Sequence, residues 1–195
     1  MSTSEQRRPY RKRRRAATEA ATRERIVAAA RILHADVGPA ATSIAEVARR
    51  AGVQRATVYA HFASDAELFV ACNAAAAAEA EPPDPHTWLA EATPGAVLRR
   101  GLREMFDVYT EGGDPLALAV RDAAVLPVLA EVMEQGFGAW LTACRAVLTQ
   151  AVGAGGPATV AVELVTSHAS WVTLRVLGQD QAVEVAARMI ETASG

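Results

Sequence analysis

Cysteine is nearly absent: Cys72 and Cys144 are the only two in 195 residues. Neither sits in a Cys-x-x-Cys pair or near a second Cys/His cluster. That excludes a disulfide framework and points to free thiols in a reducing compartment. His168 and Cys144 lack the close spacing of a metal site, so no metal is assigned. Aromatics make up 5% of the chain, and strand-type alternation is scarce. No uninterrupted apolar run reaches the ~18 residues that a membrane span needs. The polar, basic N-terminus has no apolar core behind it, so no signal peptide is expected and a cytoplasmic protein follows by elimination. The G-x-S-x-G, H-E-x-x-H and P-loop patterns are missing, so no catalytic residue or cofactor is assigned. The Gly-rich run Gly153 to Gly156 has no strand before it and reads as a helix break.

What is present is helix-forming sequence. Just over half of the residues are hydrophobic, and alanine supplies much of that share, so the expected class is all-α. A net charge of −2 hides a division. Through Phe62 there are 13 Arg/Lys against 5 Asp/Glu; beyond it there are 7 against 17. A basic N-terminal third joined to an acidic remainder implies two domains, the first with a polyanionic partner. Seven of the nine positions from Arg7 to Arg15 are basic. Residues 1–17 therefore read as a basic arm, disordered alone through self-repulsion, that gains order against phosphates or in a minor groove.

Apolar periodicity predicts a first helix from about Thr18 or Thr22 to Val37, stopped by Gly38-Pro39. A short second helix opens at the capping box Ser43 to Glu46, with Ile44, Val47, Ala48 and Ala51 inside. Gly52 ends it. A third covers about Gln54 to Ala60, and a fourth opens at a second box, Ser64 to Glu67. "EPPDPH" reads as a linker or sharp corner. Further helices are expected at about Pro94 to Glu111, from Asp114-Pro115, from Pro127 to about Val152, from Pro157 to Leu177 and from Asp180 to Ala193.

Helices two and three fit a helix-turn-helix. Ala48 is small where they touch, Gly52 makes the turn, and Val58 locks helix three down, freeing its outer face for a major groove. The stretch from about Arg23 to Phe69 resembles, without a gap, the DNA-binding domain of TetR-family transcriptional regulators. The matching features are Ala30, the Gly38 turn, Thr42-Ser43, Ile44-Ala45, Ala51-Gly52-Val53, Thr57-Val58-Tyr59, Phe62 and Leu68.

That resemblance implies residues 18–63 as the DNA-binding domain and 64–195 as a helical ligand-binding and dimerisation domain. It implies phosphate contacts by Thr42 and Ser43. Gln54, Arg55, Ala56 and Thr57 would face the bases. Tyr59 and His61 would grip the backbone, and Phe62 belongs to the core. From the arm, Arg11, Arg13 and Arg14 are the candidate DNA contacts. Two departures stand out. Gln54 replaces the usual Ser or Thr at the cap of helix three, where Gln caps poorly. Asp65 stands where the family usually has Lys, and a carboxylate repels a phosphate.

The Pro157 helix places Thr159, Glu163, Thr166, Ser170 and Thr173 on one narrow stripe and is apolar elsewhere, so it needs neighbours on several sides. In the last helix, Glu184 and Arg188 read as a solvent pair. A dimeric four-helix bundle supplies the neighbours, and in the resembling family the last two helices form the homodimer interface. Val160, Leu164, Trp171, Leu174, Val183, Ala187 and Ile190 are its candidates. In TetR-like regulators the middle helices enclose an inducer cavity. Met105, Phe106, Tyr109, Met133, Phe137, Trp140, Cys144, His168 and Trp171 are the residues here that would line one. The functional expectation is a ligand-responsive DNA-binding regulator, most often a repressor in this family, acting as a homodimer on a palindromic operator. Activation remains the alternative mode, and an enzyme or a helical interaction protein are the rival classes.

Deleting residues 1–15 is expected to weaken duplex binding strongly and to flatten its dependence on salt, because phosphate contacts release counterions. A salt titration by gel shift checks this; unchanged affinity and slope would remove the arm from the interface.

Overall fold

A computed structural model describes the backbone of residues 3–153 and 155–195, and side-chain surroundings from Arg13 onward except at Ala80 and Ala154. Among the described residues every element is helical: α1 (Thr3–Val37), α2 (Ile44–Ala51), α3 (Arg55–His61), α4 (Asp65–Ala80), α5 (Pro94–Ala123), α6 (Pro127–Met133), α7 (Ala139–Val152), α8 (Gly156–Val165), α9 (His168–Leu174) and α10 (Gln179–Ser194). The all-α class is thus the observed one. Two packed units form, one of residues up to Ala75 with Leu118–Val132, the other of Ala76–Ala117 with Met133–Gly195.

The first unit buries one face of α1 (Ile26, Val27, Ala29, Ala30 and Leu33) against Val47, Ala48 and Ala51 of α2, Val58 of α3, Phe62, and Leu68, Ala71 and Cys72 of α4. The spacing in α1 is the helical one. The helix does not begin at Thr18 or Thr22. It continues through the basic segment that reads as a disordered arm, from Thr3. The two threonine hydroxyls do not cap; they donate back to the carbonyls of Arg14 and Thr18, each at 2.9 Å, the bonding of residues inside a helix.

In the second unit Trp88, Leu98, Leu102, Met105, Phe106, Tyr109, Leu148, Val162 and Ile190 lead the core. Trp88 is fully buried. The corner read as a linker folds into a 3₁₀ helix, Pro85–Ala90, capped by the Asp84 side chain. It delivers Trp88, whose indole N–H donates to Glu104 at 2.6 Å. The expected helix from Pro94 runs on to Ala123, with the predicted break present as a kink at Gly113, φ 49°. The stretch from Pro127 to Val152 is helical throughout, with a π-helical turn at Glu134–Gly138.

Two details differ from the sequence reading. The expected helix from Pro157 to Leu177 is broken. Thr166 ends α8, its hydroxyl donating to the Val162 carbonyl at 2.6 Å, and Ser167 caps α9 through the Ser170 N–H at 3.2 Å. Two adjacent hydroxyls that bond the backbone locally favour a helix end over a helix middle. Thr166 is consequently fully buried and leaves the polar stripe. Glu184 does not face solvent with Arg188 alone. It pairs with Arg99 at 2.7 Å, and Glu191 takes the same guanidinium at 2.8 Å.

Gly101 on α5 faces this core. A Cβ there would lie 2.6 Å from Leu148 Cδ2 and 2.7 Å from Trp88 Cε3. Gly101→Ala should destabilise the protein by about 1–3 kcal/mol through overpacking, outweighing the gain of up to about 1 kcal/mol in helix propensity. Urea unfolding checks this; a midpoint equal to or above that of the parent would contradict it.

Candidate nucleic-acid interface

The reader helix is built from its turn outward. Ser43 accepts the Glu46 N–H at 3.3 Å and its hydroxyl donates to the Glu46 carboxylate at 2.9 Å, closing the start of α2. At the other end Gly52 adopts φ 67°, and its N–H reaches the Ala48 and Arg49 carbonyls. A Cβ on Gly52 would meet nothing within 4 Å. Glycine is therefore needed for the left-handed conformation, not for room. Gln54 then starts α3 with no side-chain cap. Its carbonyl accepts from Thr57 and Val58, at 2.9 and 3.3 Å.

Val58 is fully buried and anchors this two-turn helix. Gln54, Arg55, Ala56 and Tyr59 are exposed, while Thr57 and His61 are half-buried. The four exposed side chains occupy the side of α3 turned from the core. Phe62 is core, with the Arg23 guanidinium stacked over its ring at 4.7 Å. Ser43 is exposed. Thr42 is half-buried and donates its hydroxyl to the Gly38 carbonyl at 2.9 Å. Asp65 lines the same hollow, of about 250 Å³, as Thr42 and Ser43. Arg13 and Arg14 are exposed on α1; Arg11 lies outside the described side chains. The sequence reading passed over Arg49 and Arg50, exposed in the last turn of α2. Their signal was available, as adjacent cations just before the turn glycine.

A second feature supports the start of α2. Asp122, on the last turn of α5, is 3% exposed. One oxygen accepts the Ala40 N–H at 2.8 Å and the other accepts from Arg121 at 2.7 Å. Gly38 adopts φ 92°, and a Cβ there would come within 2.4 Å of the Asp122 carboxylate. The Arg121 hydrogen bond, helped by the Ala40 N–H, holds the Asp122 carboxyl below the usual range against the opposing effect of burial. Burial lowers His34, which Asp122 partly offsets. None of this was read from the sequence, because the partners stand 82 residues apart.

Residues 26–72 match the profile of the bacterial regulatory proteins of the tetR family. This segment is a tetR-family domain. Solved structures extend the likeness to the fold of the remaining chain. A transcriptional regulator from Rhodococcus sp. Rha1 is 22% identical, with a TM-score of 0.60 over 88% of this chain and 95% of that one. A TetR-family regulator from Mesorhizobium loti MAFF303099 is 20% identical, with a TM-score of 0.58 over 90% and 94%. RolR, solved in complex with its ligand resorcinol, is 20% identical, with a TM-score of 0.52 over 91% and 89%. Comparison with curated proteins gives no match. The chain thus carries the fold of TetR-family transcriptional regulators, with the helix-turn-helix at its N-terminal end.

Beyond the tetR-family domain, most of the residues expected around an inducer cavity meet in one core. Met105, Phe106, Tyr109, Cys144 and Trp171 are buried. Phe137 and Trp140 pack against them, and Met133 and His168 are half-buried. Tyr109 is the hub. Its hydroxyl donates to the Thr166 carbonyl at 2.6 Å, and its ring lies 5.5 Å from His168, 5.7 Å from Trp171 and 6.0 Å from Phe137. His168 Nε2 is buried without a hydrogen-bond partner. Burial pushes the Cys144 thiol up to about 12 and Cys72 to about 11, so neither is a thiolate nucleophile at neutral pH. A cleft of about 360 Å³ lies alongside; of the expected set only Phe106 and Trp171 line it, joined by Arg175 and Gln179.

The expected dimer residues divide. Val160 and Leu164 are 63% and 59% exposed. Leu174 is half-buried. Trp171, Val183, Ala187 and Ile190 are buried in the protomer's own core. The apolar stripe of α10 is turned onto its own chain, where α8 supplies the most extensive contact, so it does not stand free for a partner.

Asp122→Ala should destabilise the protein by about 1–3 kcal/mol at pH 7, because it leaves the Ala40 N–H without its acceptor. A lowered carboxyl contributes stability above its unfolded value and loses it as pH falls through the folded one. The gap between parent and variant should therefore narrow on acidification. Urea unfolding over a pH series reads this, and a gap that does not change with pH would contradict the assignment.

Proposed function

We propose that the protein is a ligand-responsive transcriptional repressor that binds a palindromic DNA operator as a homodimer and is released by a small apolar or amphipathic inducer. The observation that carries this reading is the exposed edge of α3, Gln54, Arg55, Ala56 and Tyr59, on a helix fixed by buried Val58 in a tetR-family domain. The fork of Arg55 suits guanine O6/N7 and the amide of Gln54 suits adenine. Arg13 and Arg14, Arg49 and Arg50 add cations for phosphates, with Ser43, Thr42, Tyr59 and His61 as further backbone ligands. Asp65 offers phosphate no ligand in this reading, and the basic arm carries the contact that the family's lysine would make.

One reader helix touches few bases, so a dyad is required for a specific site. Exposed Val160 and Leu164 on α8, and Val172 on α9, offer the apolar surface for a partner, while α10 contributes through its exposed Met189. The small phenol held by RolR supports a small-molecule effector for this fold. The ligand shifts the DNA-bound form only by the difference of its affinities for the two forms. The protein acts in the cytoplasm as a binding protein and not an enzyme; no described helix is long and apolar enough to cross a membrane.

A gel shift with palindromes from the protein's own promoter tests this. Arg55→Ala should weaken binding by about 1–3 kcal/mol and relax preference at one base pair in each half-site. Binding to no duplex at moderate salt, or an Arg55→Ala variant indistinguishable from the parent, would overturn the reading.

A further inference from the structure

The cleft of about 360 Å³ in the second unit has a chemistry that the cavity expected from sequence did not include. Its walls are apolar at Phe106, Trp171 and Ala182. Into it comes Arg175, whose guanidinium carbon lies 5.1 Å above the Trp171 ring. Among the described residues no carboxylate makes an ion pair with Arg175, in contrast to Arg99, Arg100 and Arg103 of α5. A guanidinium stacked on an indole is held flat by cation–π attraction, and its N–H edges remain free in the plane for a bidentate acceptor. Asp107 accepts the side-chain N–H of Gln179, a residue that itself lines the cleft.

We propose that this cleft binds a compact carboxylic acid with an apolar body, its carboxylate on Arg175 and its body against Phe106, Trp171 and Ala182. The cleft lies at the small end of ligand sites, which run from ~300 to ~1,000 Å³, so the occupant is small. A cation is disfavoured by Arg175, and a neutral ligand leaves its free N–H edge unmatched. Arg175 acts on the ligand at contact distance, while carboxylates dispersed over the rest of the surface are screened beyond about a Debye length; Asp107, beside the cleft, is bonded to the Gln179 amide. The proposal deepens the effector reading above and rests on it for biological meaning, while the binding itself is testable alone.

Calorimetric titration of the full chain with benzoate, and with benzyl alcohol as its neutral counterpart, tests the assignment. Benzoate should bind at least about tenfold more tightly than benzyl alcohol, the size of one charge-assisted pair. Arg175→Gln should abolish that preference while leaving benzyl alcohol unchanged, and Arg175→Lys should restore it in part. Arg175 is exposed, so the variants should keep the fold, and helical circular dichroism confirms it. Equal affinity for the two probes, no binding of either, or a preference that survives Arg175→Gln would overturn the proposal. A gel shift run in parallel separates the two readings. A protein that binds its palindrome but not benzoate loses the acid site and keeps the regulatory reading. One that shows the Arg175-dependent benzoate preference but binds no duplex keeps the site and loses the regulatory reading.

Discussion

The reading end of this protein depends on one buried carboxylate. Asp122 is the charged side chain that the described core encloses. A charge there is tolerable only because both oxygens are satisfied, one by the Ala40 N–H and one by Arg121; an unpaired buried charge would cost several kcal/mol. Its main hold is on the Ala40 N–H and the Gly38 turn, since Arg121 is itself more than half exposed and an exposed ion pair contributes little. The bond fixes the turn between α1 and α2, and that turn sets where Thr42 and Ser43 stand. Gly38 follows from the same constraint, since any side chain at φ 92° would collide with the carboxylate as well as strain the backbone.

The second unit solves a similar problem with neutral groups. Tyr109 buries a large ring and satisfies its hydroxyl on the carbonyl of Thr166, the residue that ends α8. The helix break and the aromatic hub therefore support one another: the break frees a carbonyl, and the tyrosine takes it. His168 opens α9 directly after the break and stacks edge-on to the same ring. This packing gathers most of the residues that the family resemblance would place around an inducer cavity. What remains beside it is a cleft with a cation at its edge, a different kind of site from an apolar hole.

The legible parts were local. Both capping boxes, at Ser43 and Ser64, form the expected backbone-to-hydroxyl bonds. The Gly52 turn and the buried Val58 follow from spacing within a dozen residues, and the poor cap at Gln54 is real. Short-range sterics and hydrogen bonds decide such features, so a sequence displays them. Three features lay beyond the local sequence for one common reason. Asp122 carries no distinguishing signal in the sequence, and only a fold brings it to Ala40. Trp88 lay in a proline-rich corner, and burial against Gly101 and Leu148 came from elsewhere in the chain. Val183, Ala187 and Ile190 formed a correct apolar stripe, but periodicity reports that a face is buried and not whether the neighbour is the same chain or another. The break at Thr166 is the exception, a local signal present in the Thr-Ser pair and overridden by the apolar run around it.

Charge and connectivity then bear on how such a molecule responds. α5 carries Phe106, Thr110 and Gly113, which line the cleft, and holds Asp122 in its last turn. Between them its regular geometry is interrupted at Gly113, where φ is 49° and ψ is −144°, a combination open chiefly to glycine. The helix is thus two stiff pieces joined at one residue. Loss of a charge-assisted hydrogen bond of the Asp122 kind amounts to about 1–3 kcal/mol. Coupling between an effector site and a DNA site is typically of the same size, about 1–3 kcal/mol. The Asp122 contact is therefore of the size of a typical coupling free energy, and in the repressor reading proposed above it would be large enough to carry the response.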